Sequence, residues 1–202
     1  MKMKETYRWL ASALTCMAVL SCGKDVNYDM TDAARAAMDR IVGVYVLEGA
    51  EWDGGSIDLD GDGVASESIY DELVKIPEME ETGVVIDMRQ PYEVVARISV
   101  AVEEIYTSGD NVDALWNERT FTPLFGIEPS GEYDLRIDSD YGMSSEPDYW
   151  REACFQAMAV EVTGEDGLSL SADTAFLDNK TSEIRRGRIT YRFKCISGKG
   201  RK

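Results

Sequence analysis

Residues 92–102 have the sequence YEVVARISVAV, in which every second side chain, from Tyr92 to Val102, is apolar. Successive side chains of a β-strand point to opposite faces, so this period of two predicts a strand with one buried face. Residues 189–195 show the same alternation near the end of the chain. Between two further apolar runs, residues 164–167 (GEDG) predict a hairpin turn. Together these patterns indicate a mainly β fold with antiparallel strands.

The rest of the chain supplies enough short strands for a closed structure. Helical spacing is confined to residues 31–42 and 68–76, while residues 107–131 lack a period, which predicts a loop with a short strand around Phe121. About seven or eight strands joined by short turns predict an antiparallel barrel with a short N-terminal helix, and a β-sandwich is the alternative. The other predicted strands are residues 43–47, 84–88, 132–138, 154–162 and 168–176.

The composition limits the classes of partner and of chemistry. Of the 202 residues, 44% are hydrophobic, which is enough for a packed core. The formal charge is −17, from 38 acidic and 21 basic residues, so the protein repels nucleic-acid phosphates and favours cations, basic partners or neutral ligands such as glycans. The chain has no histidine, which excludes Ser-His-Asp catalysis, Cys-His catalysis and histidine-ligated zinc.

The first 21 residues have the features of a signal peptide. Lys2, Lys4 and Arg8 give a positively charged start, and residues 9–20 (WLASALTCMAVL) contain no charge. An apolar run of this length suits the central region of a signal peptide and is too short to span a bilayer as a helix. We therefore expect residues 1–21 to be removed on export.

Residues 19–23 (VLSCG) resemble the lipobox of bacterial lipoproteins. In that family a small residue precedes the cleavage point and the following cysteine receives the lipid, and Ser21 and Cys22 hold these two positions. The resemblance implies a lipid on Cys22, with residues 22–30 as a tether to the membrane and residues 31–202 as the folded domain. The alternative is an ordinary secretory signal with an incidental cysteine.

The segment after this cysteine, Gly23-Lys24-Asp25, resembles the start of the tag that sends Bacteroidota lipoproteins to the outer face of the outer membrane. The order of a short helix, a strand with Gly43-Val44-Tyr45 and an antiparallel series resembles the lipocalin-like domains of such lipoproteins; lipocalins have Gly-x-Trp in this place. The resemblance implies an outer-membrane location and a barrel. It leaves the bound partner open between a small apolar ligand, a glycan and a protein.

Residues 58–63 (DLDGDG) form the motif that carries chemistry. Acidic side chains at alternate positions, followed by Gly63, can wrap oxygen atoms around a hard cation, because glycine permits the sharp turn. EF-hand calcium loops continue with a bidentate acid at position twelve, which is Ile69 here, so an acid of the next helical turn would replace it at weak affinity. A solvated Asp-Gly turn is the alternative. The predicted calcium ligands are Asp58, Asp60, Asp62, and Asp71 or Glu72.

Two further groups of residues suggest chemistry less specifically. Cys154 and Cys195 lie on predicted strands of an exported chain, where they form either a disulfide or two buried thiols. Asp134, Asp138 and Asp140 lie close together in sequence, and a pair of carboxylates is what a glycoside hydrolase requires. We expect a non-enzymatic lipoprotein that binds a ligand or partner, with a glycoside hydrolase or a structural envelope component as the alternative classes.

Overall fold

A computed structural model describes residues 30–109, 111–135, 156–164 and 166–198 of the chain. The predicted signal peptide, the predicted lipid acceptor Cys22 and Cys154 lie outside these ranges. Every helix in the described ranges is too short or too polar to span a bilayer. The helices are α1 (Asp32–Ile41), α2 (Ile69–Leu73) and a 3-10 helix (Pro77–Glu81).

Nine antiparallel strands dominate the described part of the chain. The strands are β1 (Gly43–Trp52), β2 (Gly83–Gln90), β3 (Glu93–Ser108), β4 (Asn111–Phe121), β5 (Leu124–Ile127), β6 (Tyr133–Asp134), β7 (Gln156–Thr163), β8 (Gly167–Asp178) and β9 (Glu183–Gly198). All nine belong to one sheet, with the order β6-β5-β3-β2-β1-β9-β8-β7 and with β4 paired to β3. The sheet curls into a half-barrel, which confirms the mainly β, antiparallel prediction and leaves no second sheet for a sandwich among the described strands.

The long strand β3 organises one half of the sheet. It pairs with β2 along one edge, while its other edge pairs first with β5 and then with β4. From Val94 to Val102 every second side chain is buried, as the alternation predicts. Tyr92 is different, because it lies in the β2–β3 turn with φ at +63°, and its hydroxyl accepts a hydrogen bond from the Thr31 N–H at 3.0 Å.

Helix α1 packs its apolar face against the core of the half-barrel. The helix begins after Thr31, whose hydroxyl oxygen accepts a hydrogen bond from the Ala34 N–H, a common N-cap arrangement. Its last turn is joined to β1 by Tyr45, whose hydroxyl donates to the Ile41 carbonyl oxygen at 2.7 Å. The buried residues of the helix are Ala34, Ala37, Met38 and Ile41.

Residues 107–131 correct the sequence prediction, because they contain the two strands β4 and β5 where a loop with one short strand around Phe121 was expected. Strand β4 pairs with β3 without a break, and β5 follows directly after it. Most side chains of β4 are exposed on both faces, so the sequence has no alternation of apolar and polar residues there. The helix predicted over residues 68–76 is shorter than expected, since α2 ends at Leu73 and the 3-10 helix begins at Pro77.

Two hairpins extend beyond their neighbouring strands and touch each other. The first arm is residues 100–119 of β3 and β4, since β2 pairs with β3 only as far as Ser99. The second arm is residues 174–188 of β8 and β9, since β1 pairs with β9 only from Ile189 onward. The two arms meet in an aromatic contact, where the Trp116 ring stacks on Phe176 with a centroid distance of 5.9 Å.

Phe176 connects three strands, because the Trp52 ring of β1 also packs edge-on against it at 5.0 Å. Substitution of Phe176 by alanine should lower the free energy of unfolding by about 3–5 kcal/mol, since a buried aromatic ring is lost and a cavity remains. Leu124→Ala is the control, because Leu124 is 43% exposed and its loss should cost no more than about 0.5 kcal/mol. Urea denaturation measures both values, and equal losses would contradict this account of the core.

Candidate metal site

The acidic loop lies in the connection between β1 and β2 and rests on the β8–β9 turn. Its base is closed by two backbone hydrogen bonds between Ile57 and Ser66, of 3.0 and 2.9 Å. Asn179 of the β8–β9 turn holds the loop from outside, because its N–H donates to the Asp58 carbonyl oxygen and its side-chain amide donates to the Leu59 carbonyl oxygen, both at 2.8 Å. The loop is therefore fixed to the sheet before any ion is considered.

Asp58 shapes the loop from within. This side chain is buried, with Oδ1 accepting from the Gly61 N–H at 2.8 Å and Oδ2 accepting from the Gly63 N–H at 2.9 Å. Both glycines have a positive φ, +74° and +84°, a conformation that is costly for residues with a Cβ atom. Asp58 and the two glycines of the motif therefore stabilise the turn without a bound ion.

Helix α2 brings a second acid under the loop. The Ser68 side chain caps the helix by accepting from the Asp71 N–H, while Ile69 and Leu73 bury into the core. This orientation turns Glu72 inward, and its Oε2 accepts from the Leu59 N–H at 3.0 Å. Asp71 lies on the exposed side of the same helical turn.

The structure therefore brings together three of the five residues that the sequence offers as candidate calcium ligands. Asp58, Asp60 and Glu72 each offer a carboxylate oxygen, and these atoms lie within 4.8 Å of one another. Asp62 and Asp71 are exposed and lie outside this group. Calcium takes six to eight oxygen ligands, so three carboxylates need bidentate binding, carbonyl groups or water to complete the shell.

Lys75 belongs to this acidic cluster, although the sequence motif does not include it. Its ammonium forms an ion pair with Asp60 Oδ2 and lies 3.3 Å from Asp62 Oδ2 and 3.8 Å from Glu72 Oε1. The hydrogen bond to Asp60 raises the pKa of the Lys75 ammonium, and Lys75 in turn lowers the pKa of the Asp60 carboxyl. The sequence spacing of Glu72 and Lys75, three residues apart on a helix, was the available indication.

The Lys75 ammonium neutralises the loop at the place where a metal ion would do so. A cation that binds Asp60 and Glu72 must displace this ammonium, and the displacement lowers the apparent affinity for the cation. The arrangement can therefore exist in two states, one closed by Lys75 and one closed by a divalent ion. Calcium binding itself stays a prediction.

Asp178 supports the loop from the sheet. Its carboxylate is 1% exposed, forms an ion pair with Arg185 at 3.0 Å, and accepts from the Lys180 N–H at 3.1 Å. Burial raises the pKa of the Asp178 carboxyl. Hydrogen bonds, first from Thr181, and the charge of Arg185 lower it by more, so the pKa lies below its ordinary value. Asp178 is thus an ionised structural group under the candidate site.

The other predicted site residues lie elsewhere. Cys195 is buried on β9 and its Sγ lies 3.4 Å from the Ser197 carbonyl oxygen, while its predicted disulfide partner Cys154 is outside the described residues. Asp134 is exposed on β6, and Asp138 and Asp140 are also outside the described residues. No protein-family model, curated protein or solved structure matches this chain.

Calcium should stabilise the full chain after it has been stripped with chelator. For a site of the weak extracellular class, with Kd of about 0.1–1 mM, 10 mM calcium adds about 1.4–2.7 kcal/mol by mass action. Magnesium should add less, because it requires a tighter octahedral shell. The rise in melting temperature measures both effects, and Asp60→Asn should reduce the calcium effect.

The variant Lys75→Met separates the two states of the loop. Without calcium it should melt at a lower temperature than the wild type, because the carboxylates lose their counter-charge. With calcium it should gain more than the wild type, because no ammonium must be displaced. Lys180→Met removes an exposed lysine from the neighbouring turn and is the matched control. If calcium leaves the melting temperatures of the wild type and of the Lys75→Met variant unchanged, the loop is a solvated Asp-Gly turn and binds no calcium.

Proposed function

We propose that the chain is an exported lipoprotein of the outer membrane, anchored through Cys22, whose β domain binds a partner without catalysing a reaction. The lipobox-like residues 19–23 and the charge and apolar pattern before them support the anchor. The fold supports the binding role, because the tether enters at one end of the half-barrel and the acidic loop lies at the opposite end. We call the end with the acidic loop the free end.

The tether enters at one end of the half-barrel. Thr31 is held there by two turns, since its N–H donates to the Tyr92 hydroxyl and its own hydroxyl donates to the Pro129 carbonyl oxygen at 2.6 Å. The nine residues 22–30 reach at most about 30 Å when extended. An anchored domain would therefore keep this end within about that distance of the membrane.

The acidic loop and both arms lie at the opposite end. Strand β1 begins beside α1 and ends at Trp52, just before the loop, while β3 runs from the Tyr92 turn to the tip of the first arm. The longest described connection, residues 53–82, is therefore placed at the end away from the tether. This placement is the observation that carries the proposal, since an anchored binding protein needs its binding surface to face away from the membrane.

The chemistry of this free end favours binding over catalysis. Its buried carboxylates serve as structural acceptors, as Glu104 does for Arg119 and for the Tyr106 hydroxyl. Its exposed acids, Asp62, Glu67 and Asp71, favour a basic or neutral partner, such as a basic protein surface or a glycan. The half-barrel interior is filled by core side chains, of which Tyr191, Phe125, Phe176 and Phe193 are the largest.

Substitution of Cys22 by serine should abolish incorporation of a labelled fatty acid, because the serine hydroxyl does not replace the thiol as the lipid acceptor. The protein should then leave the membrane fraction. Cys16→Ser is the matched control, since Cys16 lies in the apolar run before the lipobox and should leave labelling unchanged. Label that persists in the Cys22 variant would remove the anchor from the proposal.

A photoreactive amino acid at Val64 should capture the partner in intact cells. Val64 is 64% exposed at the free end, next to the acidic loop. The same probe at Ala36, which is exposed on α1 at the tethered end, is the control. Adducts at position 64 with none at position 36 are expected, and the reverse pattern would contradict the assignment of the binding surface.

A further inference from the structure

Two exposed apolar side chains lie at the free end, in the connection between β1 and β2. Val64 is 64% exposed and Val74 is 52% exposed. Asp62 links the segments that carry them, because one of its carboxylate oxygens accepts from the Val64 N–H at 2.8 Å. Its other oxygen lies 3.3 Å from the ammonium of Lys75, the residue after Val74. The tip of the acidic loop and the end of α2 therefore form one continuous surface.

Helix α2 extends this surface with an aromatic ring. Tyr70 lies four residues before Val74, and side chains at this spacing are neighbours on one side of a helix. The Tyr70 ring is half-buried against the core, and its remainder is open to solvent. We call Val64, Tyr70 and Val74 the apolar patch. Apolar side chains that are grouped at a surface are typical of a contact with another molecule.

The connection that carries the apolar patch also holds more than half of the net charge of the chain. Residues 53–82 contain ten acidic residues and one basic residue, a net charge of −9 in a chain of −17. Asp58 and Glu72 are buried and accept backbone N–H groups. Lys75, the one basic residue, directs its ammonium to Asp60. The connection therefore has no second basic residue to neutralise its exposed acids.

Four of these exposed acids form no ion pair with a basic residue of the described chain. Asp71 lies three residues before Val74, on the exposed side of α2. Glu67 precedes the helix, and Glu80 and Glu81 end the 3-10 helix that follows it. The apolar patch is thus bordered by negative charge before and after α2.

Glu81 shows how closely the negative charges approach one another. Its carboxyl is hydrogen-bonded to the carboxyl of Glu118 on β4, and this contact raises the pKa of Glu81, with smaller contributions from burial and from the charges of Glu118 and Glu80. A basic side chain beside these carboxyls would relieve their repulsion. The surface therefore suits a molecule that carries positive charge.

The apolar patch and its acidic border together select one class of partner. A metal ion would use carboxylates alone and leave Val64 and Val74 in water. A neutral glycan would gain little from the charge, and nucleic acids and anionic lipid head groups are repelled. A protein surface with lysine or arginine around an apolar side chain matches both features, because protein interfaces combine an apolar centre with a polar rim.

We propose that the apolar patch is a docking surface for a basic protein partner, in which Val64 and Val74 contact apolar side chains and the surrounding acids attract lysine or arginine. This inference rests on the proposed function, because it names the partner that the free end binds. Charge attraction of this kind mainly accelerates the encounter of the two proteins and weakens as salt is added.

Photo-crosslinking from the full chain in intact cells tests the docking surface. A photoreactive amino acid at Val74 should form an adduct with a protein, and mass spectrometry should locate the crosslink beside a cluster of lysine or arginine residues. The double substitution Asp71→Lys and Glu81→Lys should lower the yield of this adduct about tenfold or more, because attraction becomes repulsion at two places. Both side chains are exposed, so the melting temperature should change little.

The matched control is Glu128→Lys with Glu132→Lys, which reverses two exposed acids at the tethered end and should leave the adduct yield unchanged. An adduct at position 74 that survives the reversal of Asp71 and Glu81, or that forms with a glycan or with a protein surface without basic residues, would overturn the basic partner and leave the proposed binding role standing. If positions 64 and 74 both give no adduct, the docking surface and the binding role fail together.

A second measurement applies if the reversed variant does not fold. In isolated membranes that carry the photoreactive amino acid at Val74, the adduct yield should fall as sodium chloride is raised from about 50 mM to about 500 mM, because salt screens exposed charges. A yield that stays constant over this range would refute a partner held by charge.

Discussion

The pairing of the first strand with the last is the interaction on which the rest of the structure depends. β1 and β9 are joined by a ladder from Gly43 opposite Gly198 to Trp52 opposite Ile189, although well over a hundred residues separate them. This ladder places the β1–β2 connection beside the β8–β9 turn, and Asn179 can then hold the acidic loop. The same ladder aligns the second arm with the first. Both the candidate metal site and the contact between the arms therefore depend on the register of β1 with β9.

The free end shows how an acidic chain can use its acids as structural acceptors. Asp58 and Glu72 accept backbone N–H groups of the loop, and Glu103 does the same for a strand that has lost its neighbour. Each of these carboxylates replaces a backbone acceptor that a more regular structure would supply. Some of the charge on this end is balanced by Lys75 and Arg185, so the acidity visible in the composition is partly neutralised inside the structure.

The sequence predicts those strands and helices that have one buried face and one exposed face. The alternation in residues 94–102 and the helical spacing in residues 31–42 are local patterns, and the strand and the helix that they predict are confirmed. Strand β4 was missed because neither of its faces is buried as a whole, so its side chains carry no period. The structural roles of Lys75 and Glu103 depend on tertiary contacts, and the Leu177 N–H that donates to Glu103 lies 74 residues further along the chain. Two adjacent glutamates inside an apolar strand were the only local indication of such a role.

The position of β1 within the sheet determines how the domain would bear a mechanical load. A pull on the N-terminal segment passes through Thr31 and α1 into Gly43, the first residue of β1. This strand has neighbours on both sides, β2 and β9, and its axis runs away from the point of attachment. The load is therefore a shear on many hydrogen bonds at once, whereas a strand at the sheet edge that is pulled sideways unzips one bond at a time. Resistance to such a force is governed by the rate of unfolding, and in this topology the ladder between β1 and β9 would have to slide before the domain opens.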